Sequence, residues 1–542
     1  MRGGLWAPTV VAAVAVAAGG WLLQRGADRA ENVYVQVRLF QEVVDRVESS
    51  FVEEVSRENL YNAAIGGLLR DLDDPYSSFM EAADYENLRI QGIDGEYGGV
   101  GLEVVERDGW VTVVGPIPGT PGARAGIRAG DRFYSIEGVR ADTMDVDQAV
   151  ALLRGRPGTE VSVEMSRPGV EMPIPFTLSR EVIRLRAVPF AVLLEGDVGY
   201  VPLRSTLESA SEELRQALDS LQAMGMRKAV IDLRNNPGGL LDQGVAVTDL
   251  FLDADLPIVE TRGRARDQNA SYRASHEDRY DAMPLVVLLN RASASASEIV
   301  AGALQDHDRA LLLGESSYGK GSVQSLYRLS GGKVLRLTTA RWYTPVGRSI
   351  DKDPEARFTS NGHQALSIDG QFVIGPDLDG RPTYESRGGR TLYGGGGIAP
   401  DVFVMPETMT GTEEAAVRAL YQQAGAFYVA LFNYAVRYVQ EHPNLELGFE
   451  LSDDDMAAFY RALPEWDVSV DRDDFRLGQR FVRHQLEREV ALQAWGERGE
   501  FLQGRRHDRQ LGRAVELLEG SSSPEELLGS VTRPEATGSG GS

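Results

Sequence analysis

The sequence predicts an α/β protein: a layered core, a small β-rich domain inserted ahead of it, N-terminal helices and a helical C-terminal extension. Three patterns carry that prediction. Residues 195–350 alternate apolar strands with amphipathic helices, the pattern of a layered α/β core. Residues 95–180 break into short alternating strands separated by glycines. Residues 31–90 and 412–518 keep a helical spacing of apolar side chains. At 542 residues the chain exceeds what one core supports, so several domains are expected.

Bulk composition removes several classes of function. A net charge of -24 argues against a nucleic-acid partner, since phosphate binding relies on clustered Lys and Arg. With no cysteine in the chain, disulfides, a thiol nucleophile and thiolate metal sites are excluded. No H-E-x-x-H motif occurs, and neither a metal nor an organic cofactor is expected.

Residues 1–30 hold an uncharged run from Leu5 to Leu23, between Arg2 and Arg25. About 20 apolar residues span a bilayer, so the run reads as an export signal. Ala15-Val16-Ala17 offers the small residues of a cleavage site, whereas the length favours an uncleaved anchor. Either way the protein is expected to work outside the cytoplasm, in the cell envelope, with the anchor tying it to the inner membrane.

Residues 31–94 form the N-terminal helical region. Val33, Val37, Phe40, Val43 and Val44 keep one helical period, and Leu60, Ala64, Leu68 and Leu69 keep a second. Pro75 ends the helical pattern. In the domain 95–180, strands are expected over 102–105, 110–114, 133–136 and 160–165, with a short helix or turn over 121–127 and a helix near 146–153. The core spans 181–403. Strands at 199–203, 228–233, 284–289 and 310–314 alternate with helices at 209–225, 240–252 and 297–308, and Ser209 with Glu212 has capping-box spacing. Residues 351–396 read as an insertion, 404–518 as the helical extension and 519–542 as a disordered tail.

The chemistry concentrates in two stretches. Ser293-Ala294-Ser295-Ala296-Ser297-Glu298 follows an apolar strand and opens a helix; Gly319-Lys320-Gly321 follows the next strand. A serine at a helix mouth lies near unpaired N–H groups and the positive end of the helix dipole, which suits a developing oxyanion. It still needs a base to become a nucleophile. Lys320 could serve if burial lowers its pKa. Position alone equally allows Ser297 as a plain helix cap and Lys320 as a solvated turn residue. Gly314 to Lys320 imitates the start of a phosphate-binding P-loop, but Gly321 stands where Ser or Thr is needed and 323–329 alternates like a strand, so that reading fails. His307, the histidine near Ser295 in sequence, stands at the far end of the intervening helix, a poor place for a base, while spacing leaves the more distant histidines open as partners for the serine.

In order along the chain come Leu72-Asp73-Asp74-Pro75-Tyr76-Ser77, Tyr97-Gly98-Gly99-Val100-Gly101, Ala125-Gly126-Ile127 with Gly130-Asp131, Asp232 to Gly239, Ser293 to Glu298, and Gly319 to Gln324. Together they resemble the carboxy-terminal processing (tail-specific) serine proteases over roughly 35–350 and again at 397–402. The resemblance implies a crotonase/ClpP-like protease core. It makes Ser295 the nucleophile, Lys320 its general base and Gln324 the residue that orients the lysine. The family separates serine and lysine by 25 positions, as Ser295 and Lys320 are separated here, whereas Ser293 and Ser297 miss that spacing. The oxyanion hole would be the N–H groups of Ala296 and of Gly238 or Gly239.

By the same resemblance 95–180 is a PDZ domain that captures the C-terminal tail of a protein or peptide by strand addition. Gly98, Gly99, Val100, Gly101 and Leu102 would bind the tail carboxylate, Leu102 and Val104 would border the side-chain pocket, and Arg154 is the candidate arginine that couples this domain to catalysis. Asp74 departs from the proline common in relatives. The insertion and the extension lie outside the shared pattern; the extension could cap the protease, mediate a homo-oligomer or bind an adaptor. The function expected is an exported endopeptidase acting through an acyl-enzyme. Its rival is a PDZ scaffold on a silent protease fold.

Overall fold

A computed structural model describes residues 33–107, 109–167, 170, 172–352, 364–375 and 378–532. The export segment 5–23, part of the insertion and residues 533–542 lie outside them. Among the described residues no helix is long and apolar enough to cross a membrane. The chain divides into two compact units: Met1–Ala82 with Gln324–Thr338, and Ala83–Val323 with Thr339–Ser542.

In the first unit a helix spans 33–50 and a second spans Arg57–Arg70, capped by Ser56. The strand Ser78–Met80 runs antiparallel to 334–336. Lys333 sits between Glu81 at 2.9 Å and Glu58 at 3.4 Å. The helix 33–50 departs from expectation: of its predicted apolar stripe only Val44 is buried, while Val33, Val37, Phe40 and Val43 stay exposed. The period was right, but among the described residues that face is left largely open, Phe40 alone of the four meeting a ring, that of Tyr61 at 5.9 Å.

The layered core lies in the second unit. Its six-stranded sheet runs in chain order: β1 (Val192–Leu193), β2 (Val198–Pro202), β3 (Lys228–Asp232), β4 (Leu285–Leu289), β5 (Leu311–Gly314) and β6 (Val402–Phe403). All neighbours from β2 onward pair in parallel. The connecting helices are α1 (Ala210–Ala223), α2 (Leu241–Asp249) and α3 (Ala296–Asp306). Alternate residues serve opposite faces. Ala229, Ile231, Leu285, Val287, Leu289 and Leu312 pack towards α1–α3, whereas Val230, Val286, Leu288, Leu311 and Leu313 face the other way. Burial on both faces is why these strands read as unbroken apolar runs.

The second face is covered by the extension. Helix α4 (Arg509–Glu519) lays Leu511, Ala514, Leu517 and Leu518 on it, joined by Leu527 from a final helix, Pro524–Thr532. Residues 524–532 are therefore not part of a disordered tail. Lys228, at the start of β3, donates to the Leu518 carbonyl at 2.7 Å, a cation placed at the negative end of α4. The rest of the extension forms its own core around Phe427, Leu431, Phe459, Phe481 and Val490.

Smaller differences have local causes. Ser209 does not close a capping box; its hydroxyl donates to Glu213 at 2.6 Å instead, and Arg215 takes Glu212. Helix Val146–Leu153 forms where expected because Asp145 and Gln148 do close one. The insertion builds two hairpins, Gln364–Leu366 with Phe372–Ile374 and Thr383–Glu385 with Thr391–Tyr393. Strands Pro257–Gly263 and Ala270–Arg273, not anticipated, pair with each other, and the first also pairs with 340–343.

If α4 is a structural layer, truncating Leu518, which is fully buried, must weaken the core. Leu518→Ala is expected to lower unfolding stability by about 2–5 kcal/mol, read from urea denaturation. An unchanged midpoint would mean that α4 does not cover the sheet.

Candidate active site

Parallel strands end at the same edge, so the loops after β3, β4 and β5 come out side by side, where open α/β sheets place their ligands. These loops carry Gly238 and Gly239, Ser295, and Lys320 respectively. The residues expected to act together therefore share one edge of one sheet. Gln324 is assigned to the first unit, where its side-chain amide donates to Thr338 Oγ1 at 3.3 Å.

The loop after β3 is built around Asn236, which is fully buried. Its side-chain amide donates to the Leu203 carbonyl at 2.8 Å, and its own carbonyl accepts from the Ala294 amide at 2.9 Å and the Ser297 hydroxyl at 3.0 Å. One residue thus ties this loop to the serine turn. Ser297 is not the helix cap: α3 begins at Ala296, with Ser295 as the cap residue.

Ser295 has φ +57°, the left-handed region that a side chain with Cβ rarely enters. Strain of that kind sets a half-buried hydroxyl on a sharp strand-to-helix turn, with Ala296 as the first residue of α3. Gly238 packs against this turn so closely that a Cβ there would meet the Ala294 carbonyl oxygen at 2.7 Å, Ser295 Cβ at 2.8 Å and the Ala296 amide at 2.9 Å. Only glycine fits. The expected roles of the two glycines separate, however. The Gly238 amide already donates to Asn236 Oδ1 at 2.8 Å, which takes it out of the oxyanion set in this arrangement. Gly239 is exposed and adjacent, and with Ala296 it keeps the remaining pair of candidate donors.

Sequence reasoning passed over the residue that joins the serine and lysine loops. Glu298, in the first turn of α3, is fully buried. One carboxylate oxygen accepts from the Ser295 amide at 2.7 Å and the Lys320 amide at 3.0 Å. The other accepts from the Ser317 hydroxyl at 2.5 Å and the Gly319 amide at 2.7 Å. Burial pushes its pKa up, and the hydrogen bonds from Ser317, Lys320, Gly319 and Ser295 oppose that rise. The sequence signal was there, an acid three residues after the serine, but that spacing is also what an ordinary cap shows.

Lys320 is half-buried. Its loop is fixed on every side: the Tyr318 amide donates to the Ser293 carbonyl at 2.9 Å, Ser317 to that of Ile398 at 3.0 Å, and the Trp342 indole to that of Lys320 at 3.0 Å. Glu315, at the root of this loop, is also buried, and its pKa is pushed up to about 7, chiefly by burial, against the attraction of Arg291.

His307 closes the far end of α3, where Nε2 meets the Pro257 carbonyl at 2.7 Å. That places it at the opposite end of the helix from Ser295.

In the domain 95–180 the sheet order makes Leu102–Arg107 an edge strand, beside Trp110–Pro116. Leu102 and Val104 face the domain core, to which helix Val146–Leu153 contributes Ala149 and Leu153. In the preceding loop the Val100 and Gly101 carbonyls accept from the Gly122 and Ile117 amides, and Gly98 and Gly99 form a short ladder with Val182 and Glu181. Arg154 donates to Asn87 Oδ1 at 3.0 Å and stands 5.1 Å above the Tyr97 ring. It is engaged at the base of this loop.

Among the described residues no cluster of acidic and histidine side chains could hold a metal ion.

Comparison with known proteins points to one family. The sequence profile of peptidase family S41 matches residues 197–356, a PDZ domain profile matches 112–167, and the profile of the activating protease CtpB N-terminal domain matches 15–84. The carboxy-terminal-processing protease of Bartonella bacilliformis is 41% identical over 324 residues, covering 59% of this chain and 74% of that protein. The carboxy-terminal processing protease CtpA of Bacillus subtilis is 33% identical over 345 residues, covering 63% and 71%. Among solved structures, a photosystem II D1 C-terminal processing protease aligns at 31% identity with a TM-score of 0.33, covering 58% of this chain and 89% of its own.

Two substitutions test the buried acids. Glu298→Gln keeps the shape but turns an NH2 group onto two donors, so about 1–3 kcal/mol of unfolding stability should be lost at neutral pH. A variant as stable as the parent would show that the carboxylate does not hold the loops. For Glu315 the folded pKa of about 7 lies above the unfolded value near 4.5, so ionisation disfavours the folded state. The stability owed to the neutral acid is complete below pH 4.5 and is lost as pH rises through about 7. Glu315→Gln should flatten that decline in denaturation midpoints between pH 5 and 8; an identical slope in both proteins would contradict the assignment.

Proposed function

Because the chain belongs to the carboxy-terminal processing proteases, serine endopeptidases of family S41 with a PDZ domain, we propose that it cleaves proteins through a Ser295–Lys320 dyad after its PDZ domain has taken up their C-terminal tails. The observation that carries this reading is the strained Ser295 turn, joined to the Lys320 loop through the Glu298 carboxylate.

Ser295 Oγ attacks the scissile carbonyl while the neutral Lys320 amine accepts its proton. The tetrahedral oxyanion is received by the N–H groups of Ala296 and Gly239, with the α3 dipole behind them. On collapse the lysine gives its proton to the departing amine, leaving an acyl-enzyme on Ser295. Lys320 then takes a proton from water, whose oxygen attacks the ester and frees the second product. Gln324, which the family pattern pairs with the lysine, orients the amine. No step calls for a metal or an organic cofactor.

Substrate enters as a strand. The edge Leu102–Arg107 offers backbone groups to an extended tail, the loop Gly98–Leu102 meets its carboxylate, and the core-facing Leu102 and Val104 favour an apolar last side chain. The apolar run Leu5–Leu23 supports a reading in which the protein is exported and anchored and acts in the cell envelope.

Ser295→Ala and Lys320→Met should each reduce cleavage of an unstructured, apolar-tailed peptide by at least roughly 10³-fold, with thermal unfolding preserved. Turnover surviving in pure Ser295→Ala protein would remove the dyad from the mechanism.

A further inference from the structure

The first turn of α4 does more than cover the sheet. It reaches the roots of two of the three loops at the site. At the root of the Gly238–Gly239 loop, Arg234 forms a bidentate pair with Asp508, NH1 to Oδ1 at 3.0 Å and NH2 to Oδ2 at 2.7 Å. The same guanidinium donates to Gln510 Oε1 at 2.9 Å. Behind it Asp232, the last residue of β3, accepts from Arg234 at 2.6 Å and from the Tyr200 hydroxyl at 2.7 Å. At the root of the Lys320 loop, the Glu315 side chain hydrogen-bonds to Gln510, whose amide also donates to the Val404 carbonyl at 2.8 Å. Asp508 in turn caps α4 by accepting the Leu511 amide at 2.9 Å.

Four features make this more than surface pairing. Arg234 and Asp508 have side-chain exposures of only 16% and 21%, so water screens the pair weakly. The pair is two-pronged, each guanidinium NH2 group meeting its own carboxylate oxygen, which fixes direction as well as distance. Gly238 lies four residues beyond Arg234 and Lys320 five beyond Glu315, so a shift at either root reaches the site through a short, tightly bonded loop. Finally, the S41 profile ends at 356, so Asp508 and Gln510 belong to a part of the chain that it does not describe.

We propose that Asp508 and Gln510 are positioning residues: through Arg234 and Glu315 they hold the oxyanion loop and the lysine loop in register, making the C-terminal extension an intramolecular activator of the protease. This rests on the Ser295–Lys320 reading. Neither residue touches substrate. Their effect falls on the geometry of the transition state and not on capture of the tail, which the PDZ domain performs.

The test uses the full-length enzyme with two readouts: the rate at which a fluorophosphonate probe labels Ser295, and kcat and KM for an apolar-tailed peptide. Asp508→Asn should lower labelling rate and kcat together by roughly 10- to 100-fold, the scale of a small misplacement of reacting groups. KM should stay within about twofold, since the tail is bound elsewhere. Asp508→Glu should recover part of the loss, and Gln510→Leu, which removes no charge, should act in the same direction. Labelling and kcat within twofold of the parent in the folded variants would overturn the proposal, as would a loss confined to KM. If Asp508→Asn fails to fold, Gln510→Leu decides. A parent enzyme that neither labels at Ser295 nor cleaves would sink the dyad itself and this proposal with it, a result distinct from active parent and active variants.

Discussion

The arrangement depends on one carboxylate that water does not reach. Glu298 gathers four donors from two loops that leave adjacent strands, and one of its oxygens accepts from both the Ser295 amide and the Lys320 amide. An ionised group in such a place is costly unless every lone pair is used, and here three donors are backbone amides already committed to the two loops and the fourth is the Ser317 hydroxyl. The interaction therefore works in both directions: the loops make the buried charge tolerable, and the charge makes the loops rigid. A serine turn held at a positive φ, as at Ser295, needs such over-determination, because its own conformational preference pulls the other way.

The second constraint is the sheet. A parallel sheet must be covered on both faces. Helices α1–α3 cover one; the other would expose Val230, Val286, Leu288, Leu311 and Leu313 without α4. Covering it from the chain's far end has a geometric consequence. A helix laid along β3 with its C-terminal end at Lys228 brings its N-terminal turn to Arg234, the point where the strand gives way to the Gly238–Gly239 loop. Structural cover and contact with the site are then two results of one placement.

Much of this was legible in the sequence. The strands of the core showed as apolar runs, and the loops beyond them as clusters of Asn, Gly and Ser, because burial on both faces and tight turns leave strong local signatures. The helix at 146–153 was readable to its ends because its cap is local. What escaped is long-range or mixed in character. Strands Pro257–Gly263 and Ala270–Arg273 are only partly buried and carry polar residues throughout, so their period is weak. Helix Pro524–Thr532 lies in a stretch whose Ser, Pro and Glu content resembles a solvated tail, yet Leu527 reaches the sheet. Ser209 and Glu212 had the spacing of a cap, but Glu213 and Arg215 offered better partners. Glu298 was visible and unremarked, since spacing cannot distinguish a cap from a cross-loop tie.

The far end of α3 shows why the insertion belongs to the same argument. A helix C-terminus carries partial negative charge, and here it also carries Asp306 and Asp308, which is electrostatically adverse. Two arginines reverse that. Arg348, fully buried, pairs with Asp306 and donates to Gln305 Oε1 at 3.0 Å; Arg390 pairs with Asp308 and, at 2.7 Å, with Asp401. Arg348 stands just before the insertion and Arg390 inside its second hairpin, so closing the insertion brings both cations to the helix end. Removing Arg348 alone would leave the buried Asp306 carboxylate without its cation, a larger penalty than the pair itself ever contributed. With Glu298 fixing one end of α3 and these arginines the other, the helix behind Ser295 cannot slide along its axis, and the strained turn has nowhere to relax.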